Sequence, residues 1–141
     1  VGLSTMKGVS PRTDMSLRIL VVEDQDDARE MLRELLEMMG ATVLVASSVS
    51  EALVQIDEVP DVVLSDIGMP DADGTELARR LQSHPNRTRM RLVAMTGYVG
   101  TVAQDELIAA GFDEVFSKPL TPEMLEALVR RESGRARFPS S

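Results

Sequence analysis

The chain has 141 residues, no cysteine, one histidine and a formal net charge of −8, from 15 basic and 23 acidic residues. That length is one domain's worth. The missing cysteines exclude disulfide frameworks, thiol catalysis, iron–sulfur clusters and cysteine zinc sites, and a lone His84 excludes multi-histidine metal sites. The acidic balance, with one Tyr, three Phe and no Trp, argues against nucleic acid and anionic membrane surfaces as partners. No apolar run approaches the roughly 18 residues of a membrane span, so no membrane contact and a cytoplasmic location are expected.

Residues 1–16 have no apolar periodicity and are rich in Ser, Thr, Gly and Pro, as expected of a flexible N-terminal tail. The chain starts at Val1 and not at Met, which suits a piece of a longer protein or a processed N-terminus. A folded domain is expected over 17–131 and a flexible tail over 132–141. Within the domain, apolar runs of strand length fall at 19–22, 43–45, 62–64, 92–95 and 115–116. The first, third and fourth are continuous and not alternating, the pattern of strands covered on both faces.

Helical patterns separate these runs. Ala28, Met31, Leu32, Leu35, Leu36 and Met39 recur at i, i+3, i+4 spacing, and Gly40 follows as a stop. Ser48 or Ser50 suits the cap of a second helix carrying Ala52, Leu53 and Ile56. A third helix at 75–81 puts Leu77, Ala78 and Leu81 on one face. A fourth at 99–110 carries Val102, Leu107 and Ala110 and ends at Gly111. Pro122 opens a fifth, with Leu125, Leu128 and Val129 inward. The order βα repeated five times predicts a parallel α/β sheet with helices on both faces. Ligands of such sheets sit beyond the carboxyl ends of the strands.

Glu23-Asp24 follows the first run, Asp66 the third, Thr96 the fourth, and Lys118-Pro119 the fifth. Residues far apart in sequence therefore converge on one sheet edge. Crowded carboxylates with no imidazole suit a hard ion such as Mg²⁺. A lysine and a hydroxyl at the same edge suit phosphoryl oxygens, and a carboxylate is a competent nucleophile towards phosphorus. The chemistry points to Mg²⁺-assisted phosphoryl transfer onto an aspartate. Arg79, Arg80, Arg87, Arg89 and Arg91 read as solvated charge around the third helix and its loop, Asp26 and Asp27 as first-turn helix charges, and Asp71 and Asp73 as turn residues.

The segments LRILVVED at 17–24, PDVVLSDIGMPDADG at 60–74, VAMTGY at 93–98 and GFDEVFSKP at 111–119 resemble the receiver domain of two-component response regulators, including those of hybrid histidine kinases. The resemblance spans 17–131 and implies a flavodoxin-like (CheY-like) doubly wound sheet in strand order 2-1-3-4-5. It implies that Asp66 is the phosphoacceptor and that Asp24, Asp66 and the Gly68 carbonyl ligate Mg²⁺, with Glu23 acting largely through metal-bound water. Thr96 and Lys118 would contact phosphoryl oxygens, and the Lys118-Pro119 bond would be cis. The donor would be a sensor histidine kinase, a phosphotransfer domain or a small acyl phosphate, and the output an unidentified downstream protein. Such a chain would be a stand-alone regulator or the excised receiver of a hybrid histidine kinase, and would itself catalyse only its own phosphorylation and dephosphorylation.

Two positions depart from the family pattern. Val115 stands where the family has a Tyr or Phe three residues before the lysine, and Phe116 points to the opposite face. Gly68 and Tyr98 occupy the positions from which the family tunes phosphoryl lifetime. The alternative reading is an Asp-nucleophile phosphatase or phosphotransferase of haloacid-dehalogenase-like type, which would want D-x-D after the first strand, where this chain has Glu23-Asp24-Gln25-Asp26. No glycine-rich nucleotide loop follows that strand either.

Overall fold

The computed structural model describes residues 16–69, 74–97 and 101–137. The expected N-terminal tail, apart from Ser16, lies outside the described residues, as do Asp71, Asp73 and Tyr98. The elements alternate as expected: β1 (Arg18–Val22), α1 (Asp26–Met38), β2 (Thr42–Ala46), α2 (Val49–Gln55), β3 (Val62–Asp66), α3 (Glu76–Leu81), β4 (Arg91–Thr96), α4 (Thr101–Ala110), β5 (Glu114–Ser117) and α5 (Pro122–Arg137). The five strands form one parallel sheet in the order β2-β1-β3-β4-β5. The chain leaves β1 towards β2 on one side and returns to β3 on the other, so the switch point lies between β1 and β3.

The apolar runs fill both faces because each buried strand alternates its side chains between two cores. Leu20, Val22, Val63, Leu92 and Ala94 pack under α2, α3 and α4 with Ala52, Ile56, Leu77, Leu81 and Leu107. Ile19, Val21, Val62, Leu64, Val93 and Met95 pack under α1 and α5 with Leu32, Leu36, Leu125 and Leu128. Each fully buried Leu or Val contributes about 1.5–3 kcal/mol relative to its exposed state.

Helix ends follow local chemistry. Ser48 caps α2 by accepting from the Glu51 N–H at 3.1 Å, so of the two candidate serines Ser48 is the cap. The Thr121 hydroxyl accepts from the Met124 N–H at the start of α5. Gly40 and Gly111 end α1 and α4 with φ of +95° and +126°, a region that favours glycine.

Two expectations are corrected. The segment read as a flexible tail from 132 is helical through Arg137. Glu132 is buried and accepts from Arg131 Nε at 2.9 Å and Arg135 Nε at 2.5 Å, while Arg135 also donates to the Asp61 carbonyl at 3.1 Å. This network ties the last turns of α5 to the amino ends of β3 and β4, and Arg91 Nε approaches Glu132 to 3.6 Å. The arginines read as surface charge are also not all solvated. Arg87 donates to the carbonyls of Met90 (2.9 Å) and Gly111 (2.6 Å) and pairs with Asp113. It thereby joins the loops that enter β4 and β5.

Candidate phosphoacceptor site

The carboxyl ends of β1, β3, β4 and β5 carry the site. Register pairs Val22 with Ser65, Asp66 with Met95, and Thr96 with Ser117, which brings the chain-distant candidates to one edge. Glu23, Asp66 and Thr96 are buried, Asp24 is half-buried and Lys118 is open to solvent. Carboxylate oxygens of Glu23, Asp24 and Asp66 lie within 4.8 Å of one another. Lys118 Nζ reaches Asp66 Oδ1 at 3.2 Å and Glu23 Oε1 at 3.6 Å. The Glu23, Asp24, Asp66 and Lys118 side chains therefore meet at this edge, and Thr96 ends the neighbouring strand β4 there.

Backbone contacts hold these groups in place. The Gly68 N–H donates to Asp66 Oδ1 at 3.0 Å, which ties the segment after β3 to the Asp66 side chain. The Glu23 N–H donates to the Ala46 carbonyl at 3.0 Å, and the Gln25 N–H donates to Glu23 Oε2 at 3.1 Å. The Lys118 N–H donates to the Thr96 carbonyl at 2.7 Å, and the Lys118-Pro119 bond is cis. Gly74, which ends the loop after Asp66, packs so closely that an added Cβ would lie 2.6 Å from the Ile67 carbonyl oxygen. That contact explains a glycine at position 74.

Burial pushes the Glu23 carboxyl above its ordinary range; the Gln25 N–H opposes this, the Asp66 charge adds to it, and Lys118 pulls the other way. The donor set is oxygen-only and strongly anionic. It fits a hard divalent cation that takes one or two carboxylates and keeps open positions for other oxygens. Lys118 supplies a counter-charge to the cluster, a point charge on a four-carbon stem.

Val115 and Phe116 diverge as expected: Val115 packs on the core under α2, α3 and α4, and Phe116 on the core under α1 and α5. His84 has its Nδ1 accepting from the Asn86 N–H at 3.0 Å and its Nε2 3.8 Å from Asp57. It lies in the loop after α3 and has no part in the site. Sequence reasoning missed Arg29, which donates to the Glu23 carbonyl at 3.0 Å and to Asp26 Oδ1 at 2.5 Å. Its only sequence signal was the i, i+3 spacing from Asp26.

Comparison with known proteins shows the family and the fold. Residues 19–130 match the family model of the response regulator receiver domain, and the chain belongs to that family. A 14.6 kDa protein of Leptolyngbya boryana is 36% identical over 121 residues, covering 85% of this chain and 92% of its own length. The virulence sensor protein BvgS of Bordetella bronchiseptica is 33% identical over 136 residues, 92% of this chain but 11% of that protein. A CheY-like receiver domain from Methanospirillum hungatei superposes with a TM-score of 0.78 at 28% identity, covering 89% of this chain and 99% of that one. The chain is thus a signalling domain of two-component systems, and the haloacid-dehalogenase-like alternative is set aside: residues 19–130 match as a receiver, with the central carboxylate at the end of β3. No helix among the described residues is long and apolar enough to cross a membrane.

Proposed function

We propose that Asp66 accepts a phosphoryl group from the phosphohistidine of a sensor histidine kinase or phosphotransfer domain, with Mg²⁺ as cofactor, and that the change alters binding to a downstream protein. The observation that carries this reading is a buried carboxylate, Asp66, with an ammonium 3.2 Å from its Oδ1 and two further acids beside it. Asp24, Asp66 and the Gly68 carbonyl would hold the ion, with Glu23 behind them. When bound, Mg²⁺ neutralises the carboxylates and the incoming phosphoryl oxygens.

In the transfer, an Asp66 oxygen forms the O–P bond while the N–P bond of the donor breaks and its electron pair returns to the imidazole. Lys118 shifts from Asp66 Oδ1 to a phosphoryl oxygen. The Thr96 hydroxyl donates to another. Phosphorylation adds charge at the sheet edge, and the Thr96 and Lys118 contacts it draws bias the β4–α4 region and β5 towards a second conformation. Because Val115 replaces the usual aromatic, that read-out runs through Thr96 and the backbone of β5, without an aromatic rotamer.

The domain therefore turns over only its own acyl phosphate. Borohydride reduction of the phosphorylated chain followed by peptide mapping tests the assignment. An acyl phosphate at Asp66 is reduced to homoserine at that position alone; a reduced residue elsewhere, with position 66 intact, refutes it.

A further inference from the structure

Resting on the Mg²⁺ reading above, we propose that Arg29 is a positioning residue for the metal-binding loop between β1 and α1, fixing the Glu23 peptide so that Glu23 and Asp24 face Asp66 together. The Glu23–Asp24 peptide is planar, so holding its carbonyl fixes the plane that joins the two Cα atoms and restrains the rotations on either side of it. Two partners hold the Glu23 backbone. On one side its N–H donates to Ala46 of β2 at 3.0 Å. On the other its carbonyl accepts from Arg29 Nη1 at 3.0 Å.

The second arm of the guanidinium anchors this clamp. Nη2 donates to Asp26 Oδ1 at 2.5 Å in the first turn of α1. A rigid fork engages two partners at once, which a lysine cannot do as well. The Arg29 side chain is 21% exposed, against 87% for Asp26, so the arm that reaches the Glu23 carbonyl is largely covered while the Asp26 contact is open to solvent. Its charge also reaches Glu51 at the start of α2, whose carboxyl is held below its ordinary range chiefly by the Ser47 N–H and hydroxyl and, to a smaller degree, by Arg29.

Two effects of Arg29 on a bound cation have opposite signs. Its positive charge repels the ion, so its removal would tighten binding. Its clamp presents the ligands, so its removal would loosen binding. Asp26 at 2.5 Å offsets much of the charge, which leaves the clamp dominant.

Mg²⁺ titration by calorimetry of wild type, Arg29→Ala, Arg29→Lys, Asp24→Asn and Arg33→Ala separates these effects, with amide exchange of the metal-free proteins measured in parallel. Arg33 is the control: it pairs with Glu30 and Glu37 one turn on along α1. Arg29→Ala is expected to weaken Mg²⁺ binding roughly ten-fold, Arg29→Lys less, and Arg33→Ala not at all. In metal-free Arg29→Ala the Gln25 amide exchanges faster, while that of Leu20 in β1 is unchanged. If Arg29→Ala does not fold, Arg29→Lys carries the comparison. Equal or tighter Mg²⁺ binding without the arginine, in a wild type that binds and an Asp24→Asn that does not, overturns the proposal and leaves the metal site standing. Failure of wild type to bind Mg²⁺ removes the metal reading itself.

Discussion

Lys118 Nζ lies 3.2 Å from Asp66 Oδ1 and bridges onward to Glu23, so one ammonium serves two buried carboxylates from a third strand. It has two roles that a single substitution separates. In the metal-free protein it competes for the carboxylates; during transfer it supplies a charge to the phosphoryl group. Lys118→Ala is expected to reduce the rate of phosphorylation by acetyl phosphate about 10²-fold, the scale of one lost electrostatic donor. Mg²⁺ affinity is retained or increased, because a competing cation is gone. A parallel loss of both, measured by calorimetry and mass spectrometry, contradicts this division.

Glu23 supplies a pH dependence. Its folded carboxyl is raised, first by burial and then by the neighbouring Asp66 and Asp24. A raised carboxyl binds its proton more tightly in the folded chain than in the unfolded one. Its contribution to stability is therefore fully present below the unfolded value of about 4.3 and is lost as pH rises through the raised folded value. Metal-free Glu23→Gln is expected to melt higher than wild type at pH 7 and to show a flatter pH dependence over that window. Saturating Mg²⁺ should reverse the ranking, since the wild-type carboxylate holds the ion better. Thermal melts at pH 4 to 8, with and without Mg²⁺, measure both effects.

Two glycines flanking Met69 and the loop after it are expected to respond oppositely. At Gly74 a Cβ would lie 2.6 Å from the Ile67 carbonyl oxygen and 2.9 Å from its Cβ, so Gly74→Ala should destabilise by about 1–3 kcal/mol. At Gly68 the added Cβ would meet only Asp66 Oδ1, at an ordinary 3.6 Å. Gly68→Ala should fold with stability within about 0.5 kcal/mol of wild type and change only the lifetime of the acyl phosphate. Urea denaturation and the decay of the phosphorylated mass report the two quantities.

The far end of α5 gives a third stability test. Glu132 is buried and paired with Arg131 and Arg135. Truncation after residue 131, or Glu132→Ala, should lower stability by about 2 kcal/mol. That is below the 3–5 kcal/mol of a fully buried pair, because the arginines remain partly solvated. Phosphorylation at the opposite end of the sheet should be unchanged.

What was legible in the sequence follows from where the information lies. Continuous apolar runs announce strands buried on both faces, and each strand ends on a chemical group, so Glu23, Asp24, Asp66, Thr96 and Lys118 could be placed before their distances were known. The end of α5 was obscured because residues 132–141 are basic and rich in Ser, Gly and Pro, without apolar periodicity. The burial of Glu132 depends on arginines from α5 and β4, a tertiary fact without a local signature. The same holds for Arg87, whose partners are backbone carbonyls at Met90 and Gly111, and for Arg29, which acts on the Glu23 carbonyl. Val59, with φ of +52° ahead of Pro60, is a β-branched residue in a region such residues rarely adopt. No pattern rule would have placed it there.

The most direct test of the central claim is intact-mass analysis after incubation with acetyl phosphate and Mg²⁺, with Asp66→Asn and an EDTA-treated sample alongside. The account predicts a single phosphoryl adduct on wild type that is absent from both controls. An adduct that persists in Asp66→Asn, or none on a wild type shown by calorimetry to bind Mg²⁺, would contradict it.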